Sequence, residues 1–246
     1  MNLFYHIGRY FILISKVFHL PEKASMFYEQ FFKEISKLGI QSMGIITIIS
    51  FFMGAVITIQ TASNIDSALI PLSTVGFAAR QTVLLELSPT IIALILAGKV
   101  GSNIASEIGT MRVTEQIDAL EIMGVNSASY LILPKITAAV FINPFLIILS
   151  MCVGIIGGWV AGAFTGIVPS VDYITGLQMD FDTYSVTYAL IKTLFFAFII
   201  TSVPAYHGYF SSGGALEVGQ SSTKGVVYSS VLILILNYVL TQLLLI

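Results

Sequence analysis

The stretch 110–124, TMRVTEQIDALEIMG, is a charged, helix-patterned island set between two long apolar segments. Val113, Ile117, Leu120 and Met123 recur at helical spacing and predict one apolar stripe, with Glu115, Asp118 and Glu121 on the other side. Three carboxylates are too costly in hydrocarbon for such a helix to cross a bilayer. The pattern therefore predicts a helix at the membrane surface, between two spans, offering an amphipathic face to something soluble. Membrane proteins driven by a separate soluble motor carry helices of this kind.

Composition sets the same frame. Of 246 residues, 56% are hydrophobic and only 10% are charged, against about 25% charged in ordinary soluble domains. The chain reads as an all-α, polytopic membrane protein. A formal net charge of −2 gives no reason to expect a nucleic-acid partner. The single cysteine, Cys152, excludes an intramolecular disulfide, and His6, His19 and His207 are scattered, so no metal site is predicted. The N-terminus, MNLFYHIGRYFILISKVF, is amphipathic and lacks the continuous apolar core of a cleavable signal peptide.

Spanning helices need about 20 mostly apolar residues, and five candidates meet this: roughly 40–63, 82–109, 134–165, 184–207 and 226–246. Pro89, Pro144 and Pro204 fall within them, where proline kinks a helix. The stretches 64–81, 166–183 and 208–225 read as connections, the first as a loop or partly re-entrant turn. Residues 1–39 read as interfacial helices ahead of a membrane domain at 40–246. In the first of them Phe4, Ile7, Phe11, Ile14 and Phe18 form an apolar stripe, with His6, Arg9 and Lys16 on other faces. In the second, Phe27, Phe31, Ile35 and Leu38 oppose Lys23, Lys33 and Lys37. A cytoplasmic N-terminus puts Arg9, Lys16, Lys23, Lys33, Lys37, Arg112, Lys135 and Lys224 inside, as the positive-inside rule asks. The helix at 110–124 is then cytoplasmic and the C-terminus external.

Two small-residue seams stand out. Ala97, Gly101, Ala105 and Gly109 recur every fourth residue, as do Gly154, Gly158 and Gly162. In lipid, helices associate through close backbone approach, which small side chains permit. Both seams are predicted packing faces, within one subunit or between two. Glu86, Lys99 and Glu107 all lie in the second span. Lys99 is the deepest, and two readings stand side by side: a functional cation, or one that snorkels or pairs for structure. In an ideal helix Glu107 lies about 12 Å along from Lys99 and Glu86 about 20 Å, so a partner from elsewhere is favoured, a lipid phosphate among them.

No catalytic constellation is present: the sequence has neither a GxxxxGK[ST] phosphate loop nor HExxH. The chain reads as a transport subunit with no enzymatic activity and no cofactor of its own.

The segment LELSPTIIALILAGKVGSNIASEIGTMRVTEQIDALEIMGVN, residues 85–126, resembles the signature of the MlaE-type permeases of ABC transporters. A second family pattern, GGAxGVGxxxTxxVVxSS, is matched at Gly213, Gly214, Ala215, Val218, Gly219, Thr223, Val226, Val227, Ser229 and Ser230, and NYVLT at 237–241 resembles a usual DYxLT. The resemblance runs from about residue 40 to the end, so that 40–246 is the expected permease domain. Lys99 stands where arginine is common, Asn237 for aspartate, and Leu216-Glu217 for an acidic–glycine pair. The resemblance implies a homodimer in the bacterial inner membrane that moves phospholipid to or from a periplasmic MCE-domain carrier and supports outer-membrane lipid asymmetry. It implies ATP bound by a separate cytoplasmic ATPase, to which some systems add a STAS-domain protein. Carried over residue by residue, Arg112, Glu115, Gln116, Asp118, Leu120, Glu121, Met123 and Gly124 form the ATPase-coupling segment; Glu86 and Lys99, as ionisable groups within a span, are lipid-path candidates. The competing readings are an ion-coupled secondary transporter, which needs buried carboxylates near mid-membrane, and a non-transporting membrane scaffold.

Overall fold

The computed structural model describes residues 2–18, 24–65 and 70–245. These residues are helical, with no strand among them. In chain order the helices are α1 (Asn2–Val17), α2 (Ser25–Ser63), α3 (Ser73–Val113), α4 (Gln116–Ile122), α5 (Ser127–Thr165), α6 (Ser170–Gln178), α7 (Thr183–Tyr209) and α8 (Ala215–Leu245). Five of them, α2, α3, α5, α7 and α8, are long and apolar enough to cross a membrane.

The span count matches the sequence pattern; the ends do not. The second amphipathic stretch runs without a break into the first span. The expected loop 64–81 is helical from Ser73, and a short helix, Ser170–Gln178, occupies the acidic connection. Asp66, Lys23 and His19 lie outside the described residues. Hydropathy identifies what sits in hydrocarbon, but a helix continues past that boundary wherever its backbone bonds stay satisfied.

Three wide π-type turns interrupt α2 and α3, at Ile35–Ile40, Val83–Ile91 and Ala97–Gly101. Pro89 lies in the second. Its ring would clash with a carbonyl of the preceding turn of a regular helix, and the wider turn relieves that contact. Pro144 and Pro204 sit inside helices that continue through them.

The most extensive contact joins α2 to α5. A Cβ built on Gly54 would overlap the Gly154 carbonyl, and one on Gly157 would overlap that of Phe51. At Gly158 a methyl would collide with Thr58 Oγ1 and the Tyr173 hydroxyl. The predicted seam thus faces α2, whose own buried positions, Ser42, Ile46, Ser50, Gly54, Thr58 and Ala62, recur every fourth residue. Gly162 meets Val168 and Thr58 only at ordinary contact distance, so it tolerates more. The other seam packs on α7 and α8. Gly101 faces Pro204, with a built Cβ 3.0 Å from its Cγ, and Gly109 faces Val218 and Ser211. Ala97 and Ala105 are fully buried. Both seams are therefore consumed within the subunit, and neither is left for a second copy.

At the opposite end from α4, the start of α3 crosses α6 at Gly76 and Gly176, where added methyls would strike the Tyr173 and Ser73 carbonyls. Buried Arg80 closes this unit. Its guanidinium donates to the Leu177, Met179 and Asp180 carbonyls at 2.6, 2.9 and 3.2 Å. These lie at the C-terminal end of α6, where a cation complements the helix dipole.

Helix α1 lies against α5 and α7. Leu13 and Val17 are buried, Tyr10 shares a hydrogen bond with Ser202 (2.8 Å), His6 with the Tyr206 hydroxyl (2.8 Å), and Arg9 stacks on Phe210. Most of the predicted stripe is turned away: Phe4, Ile7, Phe11 and Phe18 are exposed, and Ile14 is half-buried. A helix that grips protein with its polar-aromatic face and leaves its apolar face outward fits an interfacial position.

We expect Gly54→Ala to lower the unfolding midpoint of the detergent-solubilised protein by an amount equivalent to about 1–3 kcal/mol, because backbone opposes the new methyl. Gly98→Ala, where nothing lies within 4 Å, is the control and should shift far less. Equal midpoints for the two variants would show that the α2–α5 contact is looser than described.

Candidate functional site

The island between spans two and three is not the single helix 110–124 that its periodicity predicts. Span α3 runs to Val113, Thr114 ends it, and Glu115 adopts a left-handed conformation (φ +60°) before α4 begins. The chain turns there so that Ile117 points into the permease, where it is fully buried. Leu120 is half-buried against the same core. Ile117 and Leu120 of the apolar stripe therefore pack on the permease itself, while Met123, the last residue of the stripe, stays exposed. Gly124 (φ +82°) closes α4, with Gly124 N–H donating to the Glu121 carbonyl (3.0 Å) and Val125 N–H to that of Leu120 (3.0 Å). Left-handed glycine permits this paired pattern.

Two of the three carboxylates, Asp118 and Glu121, are engaged by side chains of this chain. Arg112 donates to Asp118 at 2.6 Å. Glu121 accepts from the Ser127 hydroxyl (2.9 Å) and the Tyr209 hydroxyl (2.9 Å). Those bonds, Ser127's first, hold the Glu121 carboxyl below the usual carboxylate range. Gln116 donates to Thr114 Oγ1 at 3.0 Å. The outward residues are Glu115, Gln116, Ala119, Glu121 and a tip made of Ile122 and Met123, 87% and 68% exposed. Ile122 is invisible to periodicity because it falls beside the stripe. This exposed apolar pair forms a knob on a helix braced at both ends.

Glu86 and Lys99 do not meet, and Lys99 pairs with neither Glu86 nor Glu107. Glu86 is engaged by Lys192, a fully buried lysine of α7, at 3.0 Å. Asn237 donates its amide to the other carboxylate oxygen (3.1 Å), and Thr90 its hydroxyl (3.0 Å). The Lys192 ammonium also sits 4.3 Å from the centre of the Tyr188 ring. Sequence position alone puts Lys192 near a span end and gives it no role. Its apolar surroundings at 184–207 are the signal that it must find a carboxylate.

Glu107 bridges two lysines, Lys37 and Lys135 (3.0 Å to the latter), and buried Lys135 also holds Glu34. Lys99, in the wide turn 97–101, donates to the Gln41 carbonyl of α2. An ammonium has three N–H donors, and among the described residues this carbonyl is its one partner. The neighbouring Gly98 faces open space. Lys99 is thus a span cation with no carboxylate, at an open helix edge. No group of three or more potential metal ligands exists among the described residues.

The profile of the family described as Permease MlaE matches residues 31–243. A probable ABC transporter permease protein of Rickettsia bellii is 34% identical over 237 residues, covering 96% of this chain and 91% of the relative. The intermembrane phospholipid transport system permease protein MlaE of Haemophilus influenzae is 33% identical over 211 residues, 85% of this chain and 80% of the relative. The chloroplastic protein Trigalactosyldiacylglycerol 1 of Arabidopsis thaliana is 31% identical over 227 residues, 89% and 63% respectively.

A carboxylate stabilised in the fold contributes above its unfolded value and loses that contribution as the pH falls through its depressed folded value. For Glu121 the unfolded value is about 4.5. We expect Glu121→Gln to be less stable than the parent at neutral pH, with the gap closing on acidification below that value. A gap that persists unchanged into strong acid would show that the Ser127 and Tyr209 bonds do not favour the ionised form.

Proposed function

This chain belongs to the MlaE permease family, and from that premise we propose that it is the membrane subunit of an ABC transporter moving phospholipid between the bacterial inner membrane and a periplasmic MCE-domain carrier, in support of outer-membrane lipid asymmetry. The carrying observation is the Ile122–Met123 knob on α4. It projects from the one short helix that joins two spans at the basic end of the bundle, which we place in the cytoplasm. A separate cytoplasmic ATPase binds ATP and receives this knob; a STAS-domain protein on that ATPase is a further expected partner. Glu115 and Gln116 line the same exposed surface, while Arg112, Asp118, Leu120, Glu121 and Gly124 set its posture.

The permease works as a homodimer in this reading. With both small-residue seams used inside the subunit, α8 supplies the unpartnered face: Val227, Val231, Leu234 and Tyr238 are exposed along it. The lipid phosphate meets Lys99, which can exchange the Gln41 carbonyl for an anion. Glu86 keeps a structural role, since Lys192, Asn237 and Thr90 already occupy it. The carrier engages the far end, around α6, where Val171, Ile174 and Phe181 are exposed beside Asp172 and Asp182.

An ion-coupled carrier needs a span carboxylate free to bind its ion; Glu86 and Glu107, the carboxylates of the second span, are both held by lysines. A pure scaffold has no use for an uncompensated span cation.

Met123→Asp combined with Ile122→Asp should release the ATPase from the purified complex while the permease still inserts and folds. Undiminished co-purification would remove the knob from the interface. Lys99→Arg should keep phospholipid transfer, and Lys99→Ala should retain the ATPase but transfer at least about tenfold less, the scale of losing one charge-assisted contact. Normal transfer by Lys99→Ala would take Lys99 out of the lipid path.

A further inference from the structure

Four charges outside the coupling knob and the lipid contact form one chain: Lys37, Glu107, Lys135, Glu34. Glu107 holds Lys37 with one oxygen and Lys135 with the other, at 3.0 Å for the latter. Lys135 also holds Glu34, whose second oxygen is buried without a partner. The Lys135 side chain is only 5% exposed. The set is neutral, two lysines against two glutamates. Lys135 and Glu34 are largely buried, while Lys37 and Glu107 are partly exposed, at 42% and 35%. A buried pair is weak evidence for stability, since its desolvation offsets its attraction; its best-attested use is to fix one register against another.

Their positions say which register. Glu107 lies about two turns before the end of α3, and Lys135 about two turns into α5, so the chain grips both helices from which α4 hangs. Lys37 lies inside the wide turn Ile35–Ile40, and Glu34 immediately precedes it. Wide turns of this kind are rare and concentrate at functional sites. Directly beyond the turn is Gln41, whose carbonyl holds Lys99. The same two helices, α2 and α3, are therefore tied twice, by Lys37–Glu107 on the side of the knob and by Lys99–Gln41 deeper in the membrane.

We propose that Glu34, Lys37, Glu107 and Lys135 are positioning residues that carry a displacement of α4 into the wide turn 35–40, and so control whether the Gln41 carbonyl keeps or releases Lys99. The proposal rests on the ATPase-driven reading of this chain. It adds a contiguous path of ion pairs and assigns it two settings, Lys99 held or released, as coupling between distant sites requires.

The test uses the assembled permease–ATPase complex in proteoliposomes, with Cys152→Ser as background and Met43→Cys as reporter on an exposed position just beyond Gln41. In the parent, trapping the ATPase with ATP and vanadate should change the thiol-labelling rate at position 43. Glu107→Gln keeps the shape and removes the shared charge. It should retain the ATPase and hydrolyse ATP within about twofold of the parent, yet lose the labelling change, and phospholipid transferred per ATP should fall about tenfold or more, the usual scale of a coupling energy. The fourfold reversal Glu34→Lys, Lys37→Glu, Glu107→Lys and Lys135→Glu, which restores every pair with the signs exchanged, should bring the response back.

A labelling change in Glu107→Gln equal to that of the parent overturns the proposal. So does a parent in which bound, trapped ATPase leaves position 43 unaltered. If Glu107→Gln fails to assemble, the reversal decides: a recovered response supports the path, whereas assembly without response, or failure of both variants to assemble, makes the chain a structural staple. A parent that shows the labelling change but transfers no phospholipid would refute the lipid reading, while the labelling of the variants would still test these four residues.

Discussion

Backbone touches backbone where α2 crosses α5, and the rest of the bundle is arranged around that contact. Once helices are inserted in lipid, the hydrophobic effect no longer distinguishes packed from unpacked, and close approach must supply the attraction. Gly54 against Gly154, and Gly157 against Phe51, give that approach. It brings Ser50 to Ser150 (2.8 Å) and Ser150 to Ser88 of α3 (3.0 Å), a buried hydroxyl chain that ties in the second span. It also leaves the notch over Gly158 into which Tyr173 of α6 fits, with its hydroxyl donating to the Ile155 carbonyl at 3.2 Å. Any side chain at Gly54 would part the two helices and loosen every one of these.

Deep charges follow a second rule. Among the described residues, Glu86, Glu107, Lys135 and Lys192 are all matched by opposite charge inside the chain. Arg80 is matched by three carbonyls that a planar guanidinium can hold together. Lys99 alone relies on a single carbonyl. In the proposed function this lightly held, strongly hydrated ammonium exchanges that partner for the phosphate of a phospholipid.

Sequence is readable where one residue's chemistry decides its surroundings. Length and apolarity mark the five spans, four-residue spacing marks both seams, and three carboxylates mark the island between spans two and three. It is unreadable where two distant segments decide together. Nothing local says that Gly154 meets Gly54, although the matching four-residue repeat from Ser42 to Ala62 is a signal that periodicity can find. Nothing local says that Glu86 pairs with Lys192 or Glu107 with Lys37 and Lys135; partners so far apart in sequence are joined only by packing. The break at Glu115 is hidden because a left-handed residue other than glycine or asparagine is uncommon. That break splits the island: Ile117 and Leu120 of the stripe turn into the permease, and Met123 at its end is presented together with Ile122 beside it. The stripe on α1 shows the same ambiguity, since two faces of one helix are apolar enough to be hidden and only one of them meets protein.

The central claim is that nucleotide hydrolysis in a separate subunit moves phospholipid through this chain. It is tested most directly by reconstituting the permease with its ATPase in liposomes and following a fluorescent phospholipid to an acceptor under two energy sources. Transfer should require ATP, stop on vanadate and ignore an imposed proton or sodium gradient. Transfer driven by such a gradient without nucleotide would contradict the claim.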